Sequence, residues 1–347
     1  MNEGDILLLK GHEIINLLVG RELELIDVVG AAYISHARGA SSLPLSQFLS
    51  FPGEALNRII ALPAFLGDEF NLAGIKWVAS FPGNREMGFD RASAVLILNS
   101  PLTGRPLSIM EGSIISAKRT AASAALAARC LNSNPKLIEV GLIGCGFINF
   151  EIARFLLASF PLLSRFHIYD KVVQHAHHFE AKCRELSRDV EVIFHDDFED
   201  VLSRGGLIAI ATTAITPFIE TLENCPGSST ILNVSLRDLT PEAILSCDNV
   251  VDDVGHVCRA QTSVHLATQL VGNGDFIKCT LADILTERVS RRTERDKTVI
   301  FSPFGLGVLD LAVGKLVYEL ALQSGEGTVV PSFLPQVWTE RREEARR

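Results

Sequence analysis

Apolar and polar positions alternate in blocks between residue 136 and about residue 253. Short apolar or β-branched runs recur there: "LIEVGLIG", "RFHIYD", "VEVIF", "LIAIAT", "TILNVS" and "NVVDD". Amphipathic stretches such as "NFEIARFLLASF" and "HFEAKCRELSRD" separate several of these runs. Strands that are buried on both faces of a parallel sheet read as continuous hydrophobic runs, and helices connect them along the chain. The pattern predicts a doubly wound parallel sheet of the nucleotide-binding type.

A different pattern occupies residues 1–130. The stretch "RELELIDVVGAAYISHA" predicts an amphipathic helix, and "RIIALPAFL", "AGIKWVAS" and "SAVLILNS" have β character between turns rich in Gly, Pro and Asn. The Ala-rich "SIISAKRTAASAALAARC" predicts a helix with Ser113 as its N-cap. We expect this leading segment to hold the substrate, since the nucleotide-binding pattern begins only after it.

The last part of the chain adds helices. Further helical segments are followed by "TVIFSPFG" and by a long final helix at "LGVLDLAVGKLVYELALQS". We expect a leading domain at 1–130, a Rossmann-type domain at 131–310, and at 311–347 a helix that returns to the first domain, with a charged tail. The predicted fold class is α/β, with a Rossmann-type doubly wound parallel sheet inserted in a split α+β domain.

Composition restricts the class of protein. The 347 residues are 47% hydrophobic and 21% charged, which is typical of a globular protein with apolar material for two cores and excludes a disordered chain. The sequence shows no secretory signal pattern, and its apolar runs are too short for a membrane span. A net charge of −9 without a basic stripe disfavours nucleic acid as a partner.

Cysteine and histidine usage argues against a metal site. The seven cysteines are scattered and form no CxxC pair, which favours a reducing cytoplasm and predicts neither a zinc site nor a disulfide framework. In "HAHHFE" the adjacent His177 and His178 face different directions, so with His175 they indicate an exposed helix face more than a metal site. The ending "TERREEARR" predicts a solvated helix or a frayed end.

A glycine-rich turn stands between the first strand and helix of this pattern. In "GLIGCGFINFEIA", Gly144 permits the tight turn and Gly146 lets the backbone approach a pyrophosphate, which amide N–H groups at the helix start would bind. Asn149 takes the third position, which governs helix packing, and we expect a small outward shift of the helix. The predicted cofactor-binding residues of the turn are Gly144, Cys145, Gly146, Phe147 and Ile148. The alternative is an α/β domain whose glycines serve only turns.

Polar residues after later strands complete the predicted cofactor site. Asp170 ends "FHIYD", where a carboxylate accepts hydrogen bonds from the ribose hydroxyls and repels a 2′-phosphate, so NAD is favoured over NADP. The neighbouring Lys171 weakens that preference slightly. Thr212, which follows the fourth strand, and Ser235 are also assigned to the cofactor site, because ligands bind outside the carboxyl ends of strands.

Four basic residues interrupt apolar runs of the leading segment: Arg58, Lys76, Arg91 and Arg119. A buried cation without a partner is strongly unfavourable, so each needs an anion from the protein or from a ligand. The planar guanidinium of arginine binds carboxylates in bidentate fashion. Together they indicate a substrate with more than one carboxylate, although structural salt bridges are the alternative, most of all for Arg58.

Several separated motifs resemble the ornithine cyclodeaminase/μ-crystallin family: "GIKW", "SIISAKRTAASAALAA", "GLIGCG" and "VSLRD". The resemblance extends from about residue 7 to about residue 330, and is greatest to the branch that makes L-2,3-diaminopropionate for siderophores and peptide antibiotics. It implies a Rossmann-type domain with a split substrate domain, through which two copies dimerise. It also implies NAD-dependent oxidation of the glutamyl Cα–N bond of N-(1-amino-1-carboxy-2-ethyl)-L-glutamate, with hydrolysis of the imine to 2,3-diaminopropionate and 2-oxoglutarate.

The resemblance also implies roles for single residues. Lys76 and Arg119 match the residues that bind the substrate carboxylate, and Lys76 also assists catalysis. Arg91 matches the diaminopropionate branch, whereas cyclodeaminases usually have a small or neutral residue there. Asp238 in "NVSLRD" matches the catalytic aspartate, and a carboxylate beside the amine nitrogen serves as general base. The alternative for Asp238 is a helix cap, for which Thr240 is better placed.

Other functions remain open from the sequence. An ornithine or lysine cyclodeaminase would release ammonia, but a guanidinium at Arg91 would repel its cationic substrate. A ketimine reductase usually prefers NADPH, which Asp170 disfavours. Crystallin-type relatives bind a ligand without catalysis, which the joint presence of Lys76, Arg119 and Asp238 disfavours. We expect Cys145 to pack, and Asp310 to cap a helix or pair locally.

Overall fold

The computed structural model describes residues 4–290 and 297–335, and the chain forms two compact units. Unit 1 consists of Met1–Gly20, Gly39–Ser116 and Asp310–Arg347, and unit 2 of Arg21–Arg38 and Ala117–Leu309. The charged tail predicted from residue 339 onward lies outside the described residues.

Sixteen strands are found in the described part of the chain: β1 (Ile6–Leu9), β2 (Ser41–Ser42), β3 (Gln47–Phe51), β4 (Glu54–Leu66), β5 (Leu72–Ser80), β6 (Ala92–Asn99), β7 (Pro106–Glu111), β8 (Glu139–Ile143), β9 (Arg165–Tyr169), β10 (Glu191–Phe194), β11 (Leu207–Ile210), β12 (Thr230–Asn233), β13 (Asp248–Val251), β14 (Ile277–Thr280), β15 (Val299–Ser302) and β16 (Thr328–Val330). The α-helices within residues 4–290 and 297–335 are α1 (Gly11–Leu18), α2 (Glu22–Ala37), α3 (Ser113–Leu131), α4 (Phe147–Ser159), α5 (Val173–Leu186), α6 (Phe198–Arg204), α7 (Pro241–Leu245), α8 (Val254–Val257), α9 (Ser263–Val271), α10 (Leu281–Leu285) and α11 (Gly307–Ser324).

Unit 1 is built on a mostly antiparallel sheet. The strand order is β16-β1-β7-β6-β5-β4-β2, and β3 pairs with β4. Helix α11 packs closely on this sheet through two glycines: a Cβ on Gly74 would lie 2.7 Å from Leu311 Cδ2, and one on Gly314 would lie 2.5 Å from Leu96 Cδ2. A side chain at either position would require the leucine to shift, and at Gly74 it would also meet the carbonyl oxygen of Ile97 on the neighbouring strand.

Unit 2 contains the doubly wound sheet. All its strands are parallel, in the order β10-β9-β8-β11-β12-β15-β13-β14. β11, β12 and β15 are buried along their whole length, which explains why their sequences read as unbroken apolar runs. The strand order reverses next to β8, and ligands bind at such a switch point outside the carboxyl ends of the strands. The predicted fold class is confirmed.

The compact units divide the chain differently from the predicted domain boundary at residue 130. Helix α2 and most of α3 belong to unit 2. The two helices are joined by a hydrogen bond between the Tyr33 hydroxyl and Ser123 Oγ at 2.8 Å, and α2 also packs against α4 and α10. The apolar periodicity predicted both helices correctly, but it contained no information on which sheet they cover.

Two local expectations need correction. Ser113 is the first residue of α3 and not its N-cap, because the Glu111 carboxylate accepts the hydrogen bonds of the Ser113 and Ile114 N–H groups at 2.6 and 3.0 Å. The region after residue 253 contains β14 in addition to the expected helices. Among residues 4–290 and 297–335, no helix combines the length and apolar character needed to cross a membrane.

Candidate active site

A glycine turn, residues 144–146, leads from β8 into α4. Gly144 has φ +92°, and a Cβ there would lie 2.5 Å from the carbonyl oxygen of Ala211. The Gly144 N–H donates to the carbonyl oxygen of Tyr169 at 2.8 Å. Positive φ and the close backbone both exclude a side chain, so the turn requires glycine at this position.

The start of α4 fits a pyrophosphate group. Gly146 is the N-cap, no side chain caps the helix, and a Cβ on Gly146 would meet no other atom within 4 Å. The backbone can therefore be approached closely here. The first amide N–H groups of a helix have no carbonyl partner within the helix and favour an anion. Phe147 and Ile148 would contribute two of these first-turn amides to a dinucleotide.

Asn149 supports the glycine turn from inside. Its side chain is fully buried, and Nδ2 donates to the carbonyl oxygens of Ile143 at 2.9 Å and of Gly144 at 2.7 Å. The sequence predicted that Asn149 would be tolerated in place of a glycine. The structure gives it a role in holding the end of β8, through two hydrogen bonds that glycine could not make.

The carboxylate of Asp170 is held at the carboxyl end of β9. Oδ2 accepts a hydrogen bond from the Cys145 N–H, and Oδ1 accepts one from the Val172 N–H, both at 2.8 Å. His175 Nδ1 lies 3.4 Å from Oδ1. The end of this strand is where the ribose of a dinucleotide binds in a Rossmann-type fold. Burial and the Asp170 charge raise the pKa of the Cys145 thiol, which therefore stays protonated.

Asp238 is a fully buried carboxylate in the loop after β12. Its Oδ1 accepts a hydrogen bond from the Thr212 hydroxyl, and its Oδ2 accepts one from the Ser235 hydroxyl. Burial raises the pKa of Asp238, and the two hydroxyl donors partly offset that rise. Helix α7 is capped by Thr240 and not by Asp238, because the Thr240 hydroxyl accepts the Ala243 N–H at 3.3 Å. The Asp238 carboxylate therefore does not serve as the cap of α7.

Thr212 and Ser235, the two residues assigned to the cofactor site after later strands, are in direct contact. The Thr212 N–H donates to Ser235 Oγ at 3.0 Å. Their hydroxyls contact Asp238, a partnership that the sequence did not predict. The glycine turn, Asp170, Thr212, Ser235 and Asp238 all follow strands of one parallel sheet, so they share its carboxyl edge.

Arg119, on α3, lies against a second turn of unit 2. A Cβ on Gly305, which has φ +94°, would lie 2.6 Å from Nη1 of Arg119. The Gly305 N–H donates to Oδ2 of the buried Asp252 at 2.7 Å. The Asp252 carboxylate therefore contacts a loop more than fifty residues away in sequence, a contact that the sequence did not indicate.

Lys76 of β5 forms a buried ion pair within unit 1. Its Nζ lies 2.7 Å from Asp310 Oδ2 and 3.0 Å from Ser116 Oγ, and Lys76 is 3% exposed. The expectation that Asp310 pairs locally is wrong, because it pairs with Lys76, 234 residues away in sequence. Lys76 and Asp310 each interrupt an apolar stretch of the sequence. This shared feature could have indicated that the two residues pair.

Arg58 and Arg91 are brought together at the end of the same sheet. Arg58 of β4 pairs with Ser80 of β5, and Arg91 Nε contacts Ser80 Oγ at 3.4 Å. Residues directly opposite on neighbouring strands share a face, and so do positions four apart on one strand. Arg58, Ser80 and Lys76 therefore project from one face of the unit 1 sheet.

The histidine cluster is dispersed along α5. His175 contacts Asp170, and the His177 ring packs against the Phe194 ring with centroids 6.4 Å apart. Within the described ranges, no group of three or more His, Cys, Asp or Glu side chains is arranged to hold a metal ion.

Fold and site together define the class of protein. Unit 2 is a Rossmann-type domain with a buried carboxylate at the edge where a dinucleotide binds, which is the arrangement of an oxidoreductase of the nicotinamide-dinucleotide class. The chain belongs to the ornithine cyclodeaminase/mu-crystallin family, whose model matches residues 10–325.

Individual relatives carry different activities. The chain is 29% identical over 315 residues to N-((2S)-2-amino-2-carboxyethyl)-L-glutamate dehydrogenase of Staphylococcus aureus, with 88% of this chain and 92% of that protein covered. An archaeal alanine dehydrogenase dimer with bound NAD superimposes with a TM-score of 0.83 at 26% identity, over 94% of this chain and 99% of that chain. The Δ1-pyrroline-2-carboxylate reductase of Thermococcus litoralis, in complex with NADH and L-proline, shares the fold, with a TM-score of 0.86 at 24% identity over 93% of this chain and 99% of that chain.

Asn149→Ala should weaken both stability and dinucleotide binding. The change leaves the carbonyls of Ile143 and Gly144 without their side-chain donor, which should lower the free energy of unfolding by about 1–3 kcal/mol. The dissociation constant for NAD should rise, because the turn that receives the pyrophosphate loses its support. Urea unfolding and titration calorimetry measure the two effects.

Asn249 offers a matched control. Its buried amide donates to the carbonyls of Ile244 at 2.7 Å and Cys247 at 3.0 Å, away from the glycine turn. Asn249→Ala should destabilise the protein to a similar degree and leave NAD affinity unchanged. An unchanged NAD affinity in Asn149→Ala as well would show that Asn149 serves stability alone.

Asp238→Asn and Asp248→Asn should change the pH dependence of stability in opposite directions. Burial raises the folded-state pKa of Asp238, so the ionised carboxylate costs stability above the ordinary aspartate pKa of about 3.9. Asp238→Asn should therefore be at least as stable as the wild type at neutral pH, and this advantage should disappear on acidification. Urea unfolding between about pH 3 and 8 measures the difference.

The folded-state pKa of Asp248 is shifted in the opposite direction from that of Asp238. Burial alone would raise the pKa of Asp248, but hydrogen bonds and charges from Lys278 and Lys297 lower it. Its stabilising contribution is present above the ordinary aspartate pKa and is lost as pH falls through the lower folded value. Asp248→Asn should be less stable at neutral pH and approach the wild type in acid. Identical pH profiles for the two variants would contradict this assignment of the two environments.

Proposed function

We propose that the protein oxidises N-(1-amino-1-carboxy-2-ethyl)-L-glutamate with NAD and hydrolyses the product to L-2,3-diaminopropionate and 2-oxoglutarate. The observation that carries the proposal is the buried Asp238 carboxylate, held by two hydroxyls at the same sheet edge as the glycine turn. Similarity to the staphylococcal glutamate-adduct dehydrogenase supports the substrate.

Asp238 acts as the general base in this proposal. Bound NAD+ supplies the acceptor for the hydride that leaves the glutamyl Cα. The amine nitrogen has to be unprotonated for that step, and Asp238 takes its proton. Asp238 releases that proton to solvent before the imine adds water. The carboxylate then takes a proton from the water and returns it to the nitrogen as the Cα–N bond breaks. The balance is adduct, NAD+ and water giving 2,3-diaminopropionate, 2-oxoglutarate, NADH and a proton.

A pKa raised by burial suits this role. A general base works best when its pKa is close to the operating pH, and an ordinary aspartate lies well below neutrality. The raised pKa of Asp238 moves it in the required direction. The hydroxyls of Thr212 and Ser235 keep both oxygens hydrogen-bonded, so the carboxylate stays oriented while it exchanges a proton.

The basic residues bind the substrate carboxylates in this proposal. Arg119 and Lys76 bind the carboxylate next to the reacting Cα, and the Asp310 ion pair keeps the Lys76 ammonium in one orientation. Lys76 also assists catalysis by orienting the attacking water. Arg91, with Arg58 across Ser80, binds a further carboxylate. A substrate with three carboxylates supplies anions for this set, whereas the cationic tail of ornithine would be repelled by Arg91.

The cofactor proposal is NAD in preference to NADP. The Asp170 carboxylate, fixed by the Cys145 and Val172 amides, would accept hydrogen bonds from the ribose hydroxyls and repel a 2′-phosphate. The archaeal alanine dehydrogenase of similar fold holds NAD.

We further propose a cytoplasmic homodimer. All seven cysteines are free thiols, which suits a reducing compartment. Unit 1 exposes Trp77 and Val95, which pair across β5 and β6 and form an apolar surface for a second copy. Sedimentation equilibrium tests this directly, since a monomer at micromolar concentration would overturn it.

The decisive experiment incubates the protein with NAD+ and the adduct, and separately with ornithine. We expect NADH and 2-oxoglutarate in equal amounts from the adduct, with slower turnover when NADP+ replaces NAD+. Absorbance follows NADH, and mass spectrometry identifies the products. Proline and ammonia from ornithine without net NADH would establish a cyclodeaminase instead, and reduction of a cyclic ketimine without turnover of the adduct would establish a reductase.

Asp238→Asn should abolish most of the turnover while NAD still binds. Loss of a general base lowers kcat by roughly 10²–10⁴-fold, and the amide cannot accept a proton at neutral pH. Steady-state kinetics and NAD titration measure the two quantities. Asp248→Asn is the control, since it removes a carboxylate from the opposite end of a strand in the same sheet and should keep near-normal kcat. Wild-type turnover in Asp238→Asn would remove Asp238 from the mechanism.

A further inference from the structure

Asp252, at the carboxyl end of β13, binds three backbone amides. Oδ1 accepts from the Asp253 N–H at 2.8 Å and the Phe304 N–H at 3.0 Å, and Oδ2 accepts from the Gly305 N–H at 2.7 Å. The side chain is 2% exposed. Two of the three donors belong to the loop after β15, so the carboxylate holds that loop to the end of β13.

The held loop is the surface on which Arg119 rests. A Cβ on Gly305 would lie 2.6 Å from Nη1 and 3.1 Å from Nη2 of Arg119, so the guanidinium packs directly on the glycine backbone. Gly305 has φ +94°, a conformation that glycine adopts without strain. A displacement of this turn would therefore displace the guanidinium.

An independent observation connects the two charges. The Tyr33 hydroxyl, on α2, is buried and contacts Ser123 Oγ at 2.8 Å. Burial raises the pKa of Tyr33 most, the Asp252 charge raises it further, and the Arg119 charge lowers it. Both charges therefore act on the Tyr33 phenol, and all three residues are buried and belong to unit 2.

The chemistry of the loop contact requires a carboxylate. Its two oxygens only accept hydrogen bonds, which matches three N–H donors converging from two segments. An asparagine of the same size would present an NH2 group in place of one oxygen, and that group cannot accept from either loop amide. Burial raises the pKa of Asp252, and the three amide donors partly offset that rise.

We propose that Asp252 is a positioning residue for substrate binding: it fixes the turn at Gly305, and the turn fixes the direction of the Arg119 guanidinium toward a substrate carboxylate. The proposal rests on the proposed function for the identity of the ligand of Arg119. The proposal that Asp252 positions Arg119 through Gly305 does not depend on which ligand Arg119 binds.

Asp252→Asn should separate KM from kcat. We expect KM for the glutamate adduct to rise about tenfold or more, with kcat changed by less than about threefold and the NAD dissociation constant unchanged, because a misdirected guanidinium weakens substrate binding uniformly. Gly305→Ala should have the same signature, since its Cβ would strike the guanidinium. A normal KM in both variants would overturn the proposal.

A double-mutant cycle shows whether Asp252 acts through Arg119. In an Arg119→Ala background, Asp252→Asn should raise KM by less than about twofold, because the group it positions is already gone. Fully additive effects would mean that Asp252 acts elsewhere. Asp248→Asn, at the other end of β13, is the matched control: it removes the partner of Lys278 and Lys297 and should lower stability without changing KM.

A crystal structure of Asp252→Asn provides a readout that needs no substrate. We expect residues 304–305 to move and the guanidinium to follow by about 1 Å, a displacement large enough to impair binding. An unmoved guanidinium would overturn the proposal even if the wild type turns over the adduct. If the wild type does not turn over the adduct, the proposed function fails, while a moved guanidinium still supports the positioning role.

Discussion

The hydrogen bonding of carboxylates at the carboxyl ends of parallel strands is the constraint on which unit 2 depends. Asp170, Asp238 and Asp252 each need donors and find different sets: the amides of residues 145 and 172, two side-chain hydroxyls with a backbone amide, and amides of a distant loop. Backbone amides are fixed and cannot follow a proton, whereas hydroxyls can rotate. Asp238 therefore differs from the other two in having donors, the Thr212 and Ser235 hydroxyls, that can reorient when its protonation changes.

In unit 1 the buried charge that needs a partner is a cation, Lys76. Lys76 is 3% exposed, and its ammonium lies 2.7 Å from the Asp310 carboxylate. Asp310 supplies the anion from the first turn of α11. Removing either partner alone would leave a buried charge uncompensated, which is far more costly than losing the pair as a whole.

The sequence predicted those features that depend on local periodicity or local chemistry. The parallel strands of unit 2, the turn at Gly144 and the cap at Thr240 follow from short stretches of chain. Contacts between distant residues were not predictable in this way: the pairing of Lys76 with Asp310 joins residues 234 positions apart. Asn149 shows the same limit. Comparison with the glycine motif shows that a glycine is missing, but it does not show the two hydrogen bonds that the Asn149 amide makes.

The membership of α2 in unit 2 has a consequence for biosynthesis. The ribosome synthesises α2 before strands β2 to β7 of unit 1 and well before α4 and α10, against which α2 packs. Its apolar side chains, among them Leu25, Ile26 and Val29, are fully buried in the finished protein and have no partner during that interval. Exposed apolar surface of this kind attracts chaperones. A gene fragment cut at residue 117 would encode the second sheet without one of its covering helices.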